Sequence, residues 1–316
     1  MENTVKGKII KGVGGLYSVL VTDTESTLCG SVVRCRARGA LRHNNLTPLA
    51  GDHVLISADD QSRRDEETGY VIDDIVDRRS ALIRPPLANL DYLFVTMAAA
   101  SPTPILPTVD KLICIAEHNG IEPVIVITKK ELDEKKADEL CHIYSSCGFH
   151  TFALSAKEND GVEPIDEFIK ENLSGKTAAF AGASGIGKST LLNRLFPTLE
   201  LTTSEISRKI ERGRHTTREV TLYPISASAD SGYIADTPGF SMLDFKRFDF
   251  FELDELFDTM REFRPYLGEC RYTKCSHTKE QGCAVLEAVK RGEIPRSRHE
   301  SYIELYDVLK TRKKWD

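Results

Sequence analysis

The sequence has no run of about 18 apolar residues, the minimum for a membrane-spanning helix, so no membrane partner is expected. Residues 1–11 carry charges and lack the apolar core of a secretory signal, so we expect a cytoplasmic protein. The eight cysteines do not read as a disulfide framework, because five are scattered and three cluster with a histidine. Basic residues are outnumbered by acidic ones, 42 against 48, which disfavours general binding to nucleic acid.

The 316 residues divide into three segments by pattern. Residues 1–76 alternate apolar and polar side chains between glycine turns, which predicts an oligonucleotide-binding (OB) type of β-barrel; a β-domain without a ligand is the alternative. Residues 77–243 alternate buried-strand runs with helical patterns, which predicts a parallel sheet covered by helices. Residues 244–316 are helical and charged around the cysteine cluster. The predicted fold is therefore multidomain: a barrel, an α/β domain and a helical metal-binding domain.

A complete phosphate-binding motif, G-x-x-x-x-G-K-[ST], lies in the second segment between an apolar strand and a helix. Its glycines let backbone N–H groups point at phosphate oxygens, and the helix N-terminus adds a positive dipole end. We predict that Lys188 reaches the β- and γ-phosphates and that the Ser189 hydroxyl binds Mg²⁺. The strand–loop–helix context disfavours a chance glycine turn. The predicted nucleotide contacts are Gly182, Ala183, Ser184, Gly185, Ile186, Gly187, Lys188, Ser189 and Thr190.

A second phosphate element, Asp236-Thr237-Pro238-Gly239, follows a later apolar strand. Asp236 at the strand end is placed to hold Mg²⁺ through water, and the Gly239 N–H can donate to the γ-phosphate. The polar loop between the two motifs contains Thr217, which we prefer over Thr216 as a further Mg²⁺ ligand. A solvated basic loop is the alternative interpretation.

The residue after D-T-P-G is Phe240, where many GTPases have a glutamine that orients the attacking water. Hydrolysis without a partner is therefore expected to be slow. His215 is the nearest polar candidate for positioning water, and an RNA contact is the alternative role for it. The predicted catalytic set is Lys188, His215 and Gly239.

Two stretches upstream of the phosphate loop are candidates for reading guanine. Thr128, Lys129, Lys130 and Glu131 follow a buried strand where GTPases usually carry N-K-x-D, with threonine for asparagine and glutamate for aspartate. The Glu131 carboxylate can accept from two guanine N–H groups, and the Lys129 stem can cover the base. The stretch Ser155, Ala156 and Lys157 resembles an S-A-K contact to the guanine oxygen. Both stretches precede the phosphate loop, so the order of motifs predicts a circular permutation.

The cysteine cluster has the spacing C-x₄-C-x-H-x₅-C, formed by Cys270, Cys275, His277 and Cys283. Three thiolates and an imidazole suit one tetrahedral Zn²⁺. No acidic fifth ligand is evident, so we predict a closed, structural zinc site that anchors a segment with few apolar residues. Free cysteines beside a surface histidine are the alternative.

Together, these motifs resemble one known family: the small-ribosomal-subunit-dependent GTPases of bacteria, RsgA. The resemblance includes Gly51-Asp52 in the barrel, Arg84-Pro85-Pro86 at the start of the second segment, the permuted motif order and the zinc spacing. It implies a late assembly factor that binds the small ribosomal subunit and its rRNA with GTP bound, hydrolyses GTP there and is released. We expect a monomer. An RNA-binding, GTP-dependent adaptor with little turnover and a P-loop ATPase or kinase are the alternatives.

Basic residues cluster despite the net charge of −6. Arg34, Arg36, Arg38 and Arg42 lie within nine residues that include no acid. Arginines two apart on a strand face one side, so we predict that they contact RNA phosphates. Solvated faces are the alternative here and for two further groups, at Lys290, Arg291, Arg296 and Arg298 and at Lys310, Arg312, Lys313 and Lys314.

Overall fold

The structure, a computed structural model, describes residues 4–43, 46–59, 69–76, 78–82, 85–197, 220–226, 231–236 and 251–311. For Arg42, His43 and Asp236 it describes the backbone alone. The chain forms two compact units, each built from discontinuous stretches. The first comprises Met1–Asp91, Ile169–Ala179 and Phe196–Phe240, and the second Tyr92–Phe168, Phe180–Leu195 and Ser241–Asp316.

A closed five-stranded barrel forms the N-terminal part of the first unit. Its strands are β1 (Val5–Val13), β2 (Leu16–Val21), β3 (Val32–Ala37), β4 (His53–Ala58) and β5 (Tyr70–Val76). They pair in the order β1-β2-β3-β5-β4, and β4 returns to β1 to close the barrel. Only β3 and β5 run parallel. The short helix α1 (Gly39–His43) lies between β3 and β4.

The barrel core follows the period-two pattern of the strands. The inward side chains are fully or almost fully buried, namely Ile9, Val19, Cys35, Val54, Ile56 and Ile72. Because Cys35 points inward, its neighbours Arg34 and Arg36 share the outer face of β3 and are exposed. The alternation of inward and outward side chains along β3 therefore both builds the barrel core and places these arginines on its outer face.

The rest of the first unit adds a short hairpin and a strand that pairs with the barrel. The hairpin strands β6 (Ala81–Leu82) and β7 (Leu87–Ala88) pair with each other. Further along the chain lie β11 (Thr177–Ala181), β12 (Thr221–Pro224) and β13 (Tyr233–Asp236), and β12 reaches β1 through Lys11 and Thr221. The buried Lys8 of the barrel donates to Thr177 Oγ1 at 2.8 Å, and burial lowers its pKa to about 8.

The second unit contains a parallel sheet of near-continuous apolar strands. Its order is β10 (His150–Ala153), β9 (Glu122–Thr128) and β8 (Tyr92–Ala98). The helices of this region are α2 (Leu106–His118), α3 (Glu134–Ser146), α4 (Val162–Asn172) and α5 (Lys188–Leu195). The 3₁₀ turn Lys130–Leu132 follows β9 directly. This is the predicted alternation of strands and helices.

The C-terminal part of the second unit is helical around the cysteine cluster. Short 3₁₀ turns at Leu253–Glu255, Phe257–Thr259 and Arg261–Tyr266 precede α6 (Ala284–Arg291) and α7 (Arg296–Thr311). Gly292 ends α6 with a left-handed φ of 77°. None of the helices in the described stretches is long and apolar enough to cross a membrane.

One arginine of the expected basic surface is in fact fully buried. Arg298 of α7 bonds the Glu262 carboxylate through Nε (2.7 Å) and Nη2 (3.3 Å), and its Nη1 bonds Asp110 of α2. Tyr144 donates to the same Asp110 oxygen at 2.9 Å. Spacing along α7 does not show this burial, because the acidic partners come from distant parts of the chain.

The other members of that basic group lie on the surface in ion pairs. Lys290, Arg291 and Arg296 pair with Glu287, Glu293 and Glu300. The group therefore does not form a continuous patch of positive charge, and an RNA-binding role for it loses its support.

Candidate nucleotide site and metal centre

The phosphate loop connects the buried strand β11 to helix α5, which begins at Lys188. Gly182, Gly185 and Gly187 take positive φ angles of 144°, 77° and 95°. A Cβ atom on Gly182 would lie 2.2 Å from the Thr96 carbonyl oxygen, so only glycine fits there. Ser189 and Thr190 are exposed on the first turn of α5, where N–H groups have no partner within the helix.

The Lys188 ammonium is held over this loop. Its Nζ donates to the carbonyl oxygens of Gly182 (2.6 Å) and Ala183 (2.9 Å). Burial lowers its pKa to about 8, because the surroundings disfavour the charged form. An anionic phosphate at the loop would favour that charge again.

The first candidate base-reading loop is tied to the phosphate loop by two side chains. The buried Thr128 hydroxyl bonds the Ile186 carbonyl and also reaches the Met97 carbonyl at 3.1 Å. Lys129 Nζ donates to the Gly185 carbonyl at 2.7 Å. Thr128, which stands at the asparagine position of the motif, therefore links the two loops. The sequence motif alone does not predict this role.

Glu131 has an unsatisfied oxygen. Its Oε2 atom is buried and has no hydrogen-bond partner among the residues that the structure describes. A buried acceptor without a partner is costly in a folded protein unless a ligand or water satisfies it. The atom lies at the position where the motif predicts an acceptor for guanine N–H groups.

The second candidate base-reading loop is bound to the first. Ser155 is buried, and its backbone exchanges hydrogen bonds with Asp160 at 2.8 and 3.1 Å. Lys130 donates through its backbone to Leu154 (3.2 Å) and through Nζ to Asp160 (2.8 Å). Ala156 is half-buried and Lys157 is exposed beside them. The structure thus brings both base-reading stretches and the phosphate loop together within the second unit.

Part of the predicted site lies outside the described residues, namely His215, Thr217 and Gly239. For Asp236 only the backbone is described, at the end of β13. On the barrel, Arg34, Arg36 and Arg38 are exposed, and Arg38 pairs with Asp73. The side chain of Arg42 is not described.

The four residues of the cysteine cluster converge on one point. Their ligand atoms all lie within 4.8 Å of one another. Cys270 Sγ is 3.9 Å from Cys283 Sγ, and His277 Nδ1 is 3.5 Å from each of these sulfurs. Tetrahedral Zn²⁺ with bonds of about 2.3 Å to sulfur and 2.0–2.1 Å to nitrogen places sulfurs about 3.8 Å apart and sulfur and nitrogen about 3.6 Å apart. The four donors therefore suit tetrahedral zinc in their chemistry, and the spacings among Cys270, His277 and Cys283 match it in dimensions.

The surroundings of the cluster favour a thiolate at Cys270 but not at Cys275. The Ala284 N–H at the start of α6 donates to Cys270 Sγ at 3.4 Å, so a helix N-terminus faces the sulfurs. Without a cation, burial raises the pKa of the Cys275 thiol to about 12. A bound divalent cation would reverse this, because metal ligation requires the deprotonated thiolate.

Solved structures match the chain over almost its full length. The crystal structure of YjeQ from Thermotoga maritima has a TM-score of 0.78 and 32% identity, covering 98% of this chain and 100% of that one. The crystal structure of YloQ, a circularly permuted GTPase, has a TM-score of 0.74 and 34% identity, covering 98% and 96%. These matches, with the closed barrel and the Cys/His cluster, confirm the predicted fold class.

Curated relatives and family models agree with them. The small ribosomal subunit biogenesis GTPases RsgA of Alkaliphilus metalliredigens and Bacillus velezensis are each 39% identical, over 98% of this chain and 99% and 98% of their own lengths. The RsgA N-terminal domain model matches residues 6–70, and the RsgA GTPase model matches residues 75–246. The chain therefore belongs to the RsgA family of GTPases.

Proposed function

We propose that this chain is a late-stage assembly factor of the small ribosomal subunit, which it binds with GTP bound and leaves after GTP hydrolysis. The proposed GTP binding rests on one observation: hydrogen bonds of Thr128 and Lys129 hold the first base-reading loop against the phosphate loop. The names of the full-length relatives support the subunit as the partner. We further propose that the chain acts as a monomer in the cytoplasm.

Each part of the site has a proposed role toward GTP. The N–H groups of loop 182–187 and the Lys188 ammonium bind phosphate oxygens. Ser189, Asp236 and Thr217 would hold Mg²⁺, which neutralises charge on the β- and γ-phosphates. Gly239 is proposed to donate to the γ-phosphate and His215 to position the attacking water.

The subunit is proposed to stimulate hydrolysis. We expect GTP turnover to rise at least about tenfold when purified small subunits are added, because an ordered partner completes the water-positioning geometry. Phosphate release with and without subunits measures this, with large subunits as the control. GTP binding without any stimulation would favour the adaptor, and equal use of ATP and GTP would favour an ATPase or kinase.

Guanine choice is proposed to depend on Glu131. Its carboxylate is the proposed acceptor for base N–H groups, and its Oε2 atom has no hydrogen-bond partner among the described residues. We expect Glu131→Gln to weaken GTP binding by about 10- to 100-fold, the value of charged hydrogen bonds, and to leave ATP binding unchanged. Competition of GTP and ATP against a fluorescent guanine nucleotide measures the effect.

A matched control is Glu134→Gln, three residues further along the chain. Glu134 is an exposed acid in the first turn of α3, so its loss removes the same charge without removing a side chain of the base-reading loop. Unchanged GTP affinity in Glu131→Gln would contradict the assignment. Equal losses in both variants would attribute the effect to net charge.

The metal centre is proposed to be a structural zinc site with Cys270, Cys275, His277 and Cys283 as its four ligands. Four protein donors fill a tetrahedral shell, so no position remains for substrate. The zinc would hold together residues 267–283, which form neither a helix nor a strand. We propose that Arg34 and Arg36 of β3, together with Arg38 and Arg42 beyond the end of that strand, provide the barrel's contacts to rRNA phosphates.

A further inference from the structure

The side chain of Glu280 closes the loop that carries His277. One carboxylate oxygen accepts hydrogen bonds from the Ser276 backbone N–H (3.0 Å) and the Ser276 hydroxyl. The other oxygen accepts from the backbone N–H groups of Thr278 and Lys279, both at 3.1 Å. The two residues that flank His277 are therefore fixed to the same carboxylate through their backbones.

His277 itself needs such support. Its φ angle is 56°, a left-handed conformation that non-glycine residues adopt only when their surroundings hold them there. Its carbonyl accepts a hydrogen bond from His299 Nε2 at 2.8 Å, and Tyr302 donates to the preceding carbonyl of Ser276 at 3.0 Å. The Phe257 ring stacks on the imidazole with a centroid distance of 4.5 Å. Glu280 supplies the only acceptors within this set, because the other contacts are donors or rings.

We infer that Glu280 is a positioning residue of the metal centre: it shapes loop 275–280 so that His277 Nδ1 faces the sulfurs of Cys270 and Cys283 before metal binds. Both carboxylate oxygens are engaged by loop donors, so Glu280 is not a fifth ligand. The inference rests on the proposed metal site and adds to it a residue outside the four ligands. Such supporting residues commonly affect metal affinity by about 10- to 100-fold.

The test replaces Glu280 with glutamine in the full-length chain. The amide keeps the size of the side chain but sets an NH₂ group against backbone N–H donors. We expect Zn²⁺ affinity, measured by competition with a chromophoric chelator, to fall by about 10- to 100-fold. The absorption bands of the Co²⁺-substituted protein are expected to stay unchanged in position and intensity, because the four ligands are the same.

Three further variants define the comparison. Glu287→Gln removes an exposed carboxylate of α6, which pairs with Lys290, and is expected to keep wild-type affinity. Cys275→Ser removes a ligand and is expected to change the Co²⁺ spectrum as well as the affinity. Glu280→Asp keeps two acceptor oxygens on a shorter stem and is expected to fall between wild type and Glu280→Gln.

Hydrogen exchange of the metal-free proteins supplies a readout that does not depend on metal. The amide protons of Ser276 and Thr278 are expected to exchange faster in Glu280→Gln than in wild type, and Glu287→Gln is expected to match wild type. A Zn²⁺ affinity within twofold of wild type, or an altered Co²⁺ spectrum in Glu280→Gln, would overturn the positioning role. A wild-type chain that binds no zinc would instead refute the metal site on which the inference rests.

Discussion

Replacing Lys188 with alanine is expected to reduce GTP turnover by about 10²-fold or more. The Lys188 ammonium is held over the phosphate loop by the carbonyls of Gly182 and Ala183. Without Lys188, the negative charge on the transferred phosphoryl group loses the ammonium that stabilises it. Phosphate release at saturating GTP, with small subunits present, measures the effect.

The pH dependence of nucleotide binding gives a second signature of the same lysine. In the free protein the pKa of Lys188 is lowered to about 8, so the ammonium loses its proton as the pH rises through that value. Phosphate binding favours the charged form and raises the pKa. We therefore expect nucleotide affinity to fall from pH 7 to pH 9, with proton uptake on binding at the higher pH.

Normal GTP turnover and the fall in nucleotide affinity with pH are both expected to be lost in Lys188→Ala and to be kept in Lys135→Ala. Lys135 is an exposed lysine of α3 and serves as the matched control for loss of one positive charge. Near-normal turnover in Lys188→Ala, or a fall in affinity with pH that survives the substitution, would show that Lys188 is not the phosphate-binding cation.

The sequence was most informative where chemistry is carried by contiguous residues. The phosphate loop and the Cys/His cluster each fit within a short stretch, because backbone curvature and ligand spacing are local properties. The barrel was predictable for a related reason, because the alternation of side chains along a strand is also local. In β3 it buries Cys35 and places Arg34 and Arg36 on the outer face. Each of these predictions needed only the geometry of a strand, a turn or a helix end.

Contacts between distant segments were not predictable in this way. In the sequence, Thr128 is a departure from the guanine motif, yet its hydroxyl bonds the Ile186 carbonyl of the phosphate loop 58 residues later. Glu280 carries no metal-ligand spacing, and its role follows only from the fold of its loop. Arg298 read as part of a basic surface, although its partner Asp110 lies 188 residues earlier in the chain. Burial of a charge depends on partners that local patterns do not contain.

The buried position of Arg298 leads to the second large expected effect. We expect Arg298→Ala to lower the free energy of unfolding by about 3–5 kcal/mol, because removing one partner leaves uncompensated charges in the interior. Asp110 and Glu262 would lose the guanidinium that bonds both of them. Urea titrations measure the loss, and Arg296→Ala is the control, since that exposed arginine of the same helix pairs with Glu300 at the surface.

The pH dependence of that loss distinguishes a missing charge from a missing side chain. Burial raises the pKa of Asp110, and Arg298 offsets this, so the substitution leaves a carboxyl that favours its proton in the folded state. A folded-state pKa above the unfolded value costs stability at high pH and costs nothing once both states are protonated. The difference between wild type and Arg298→Ala is therefore expected to shrink from pH 8 to pH 5, and Asp110→Asn in the Arg298→Ala background is expected to restore part of the stability at pH 8. A loss that stays constant with pH and is not relieved by Asp110→Asn would mean that Arg298 stabilises the unit by packing alone.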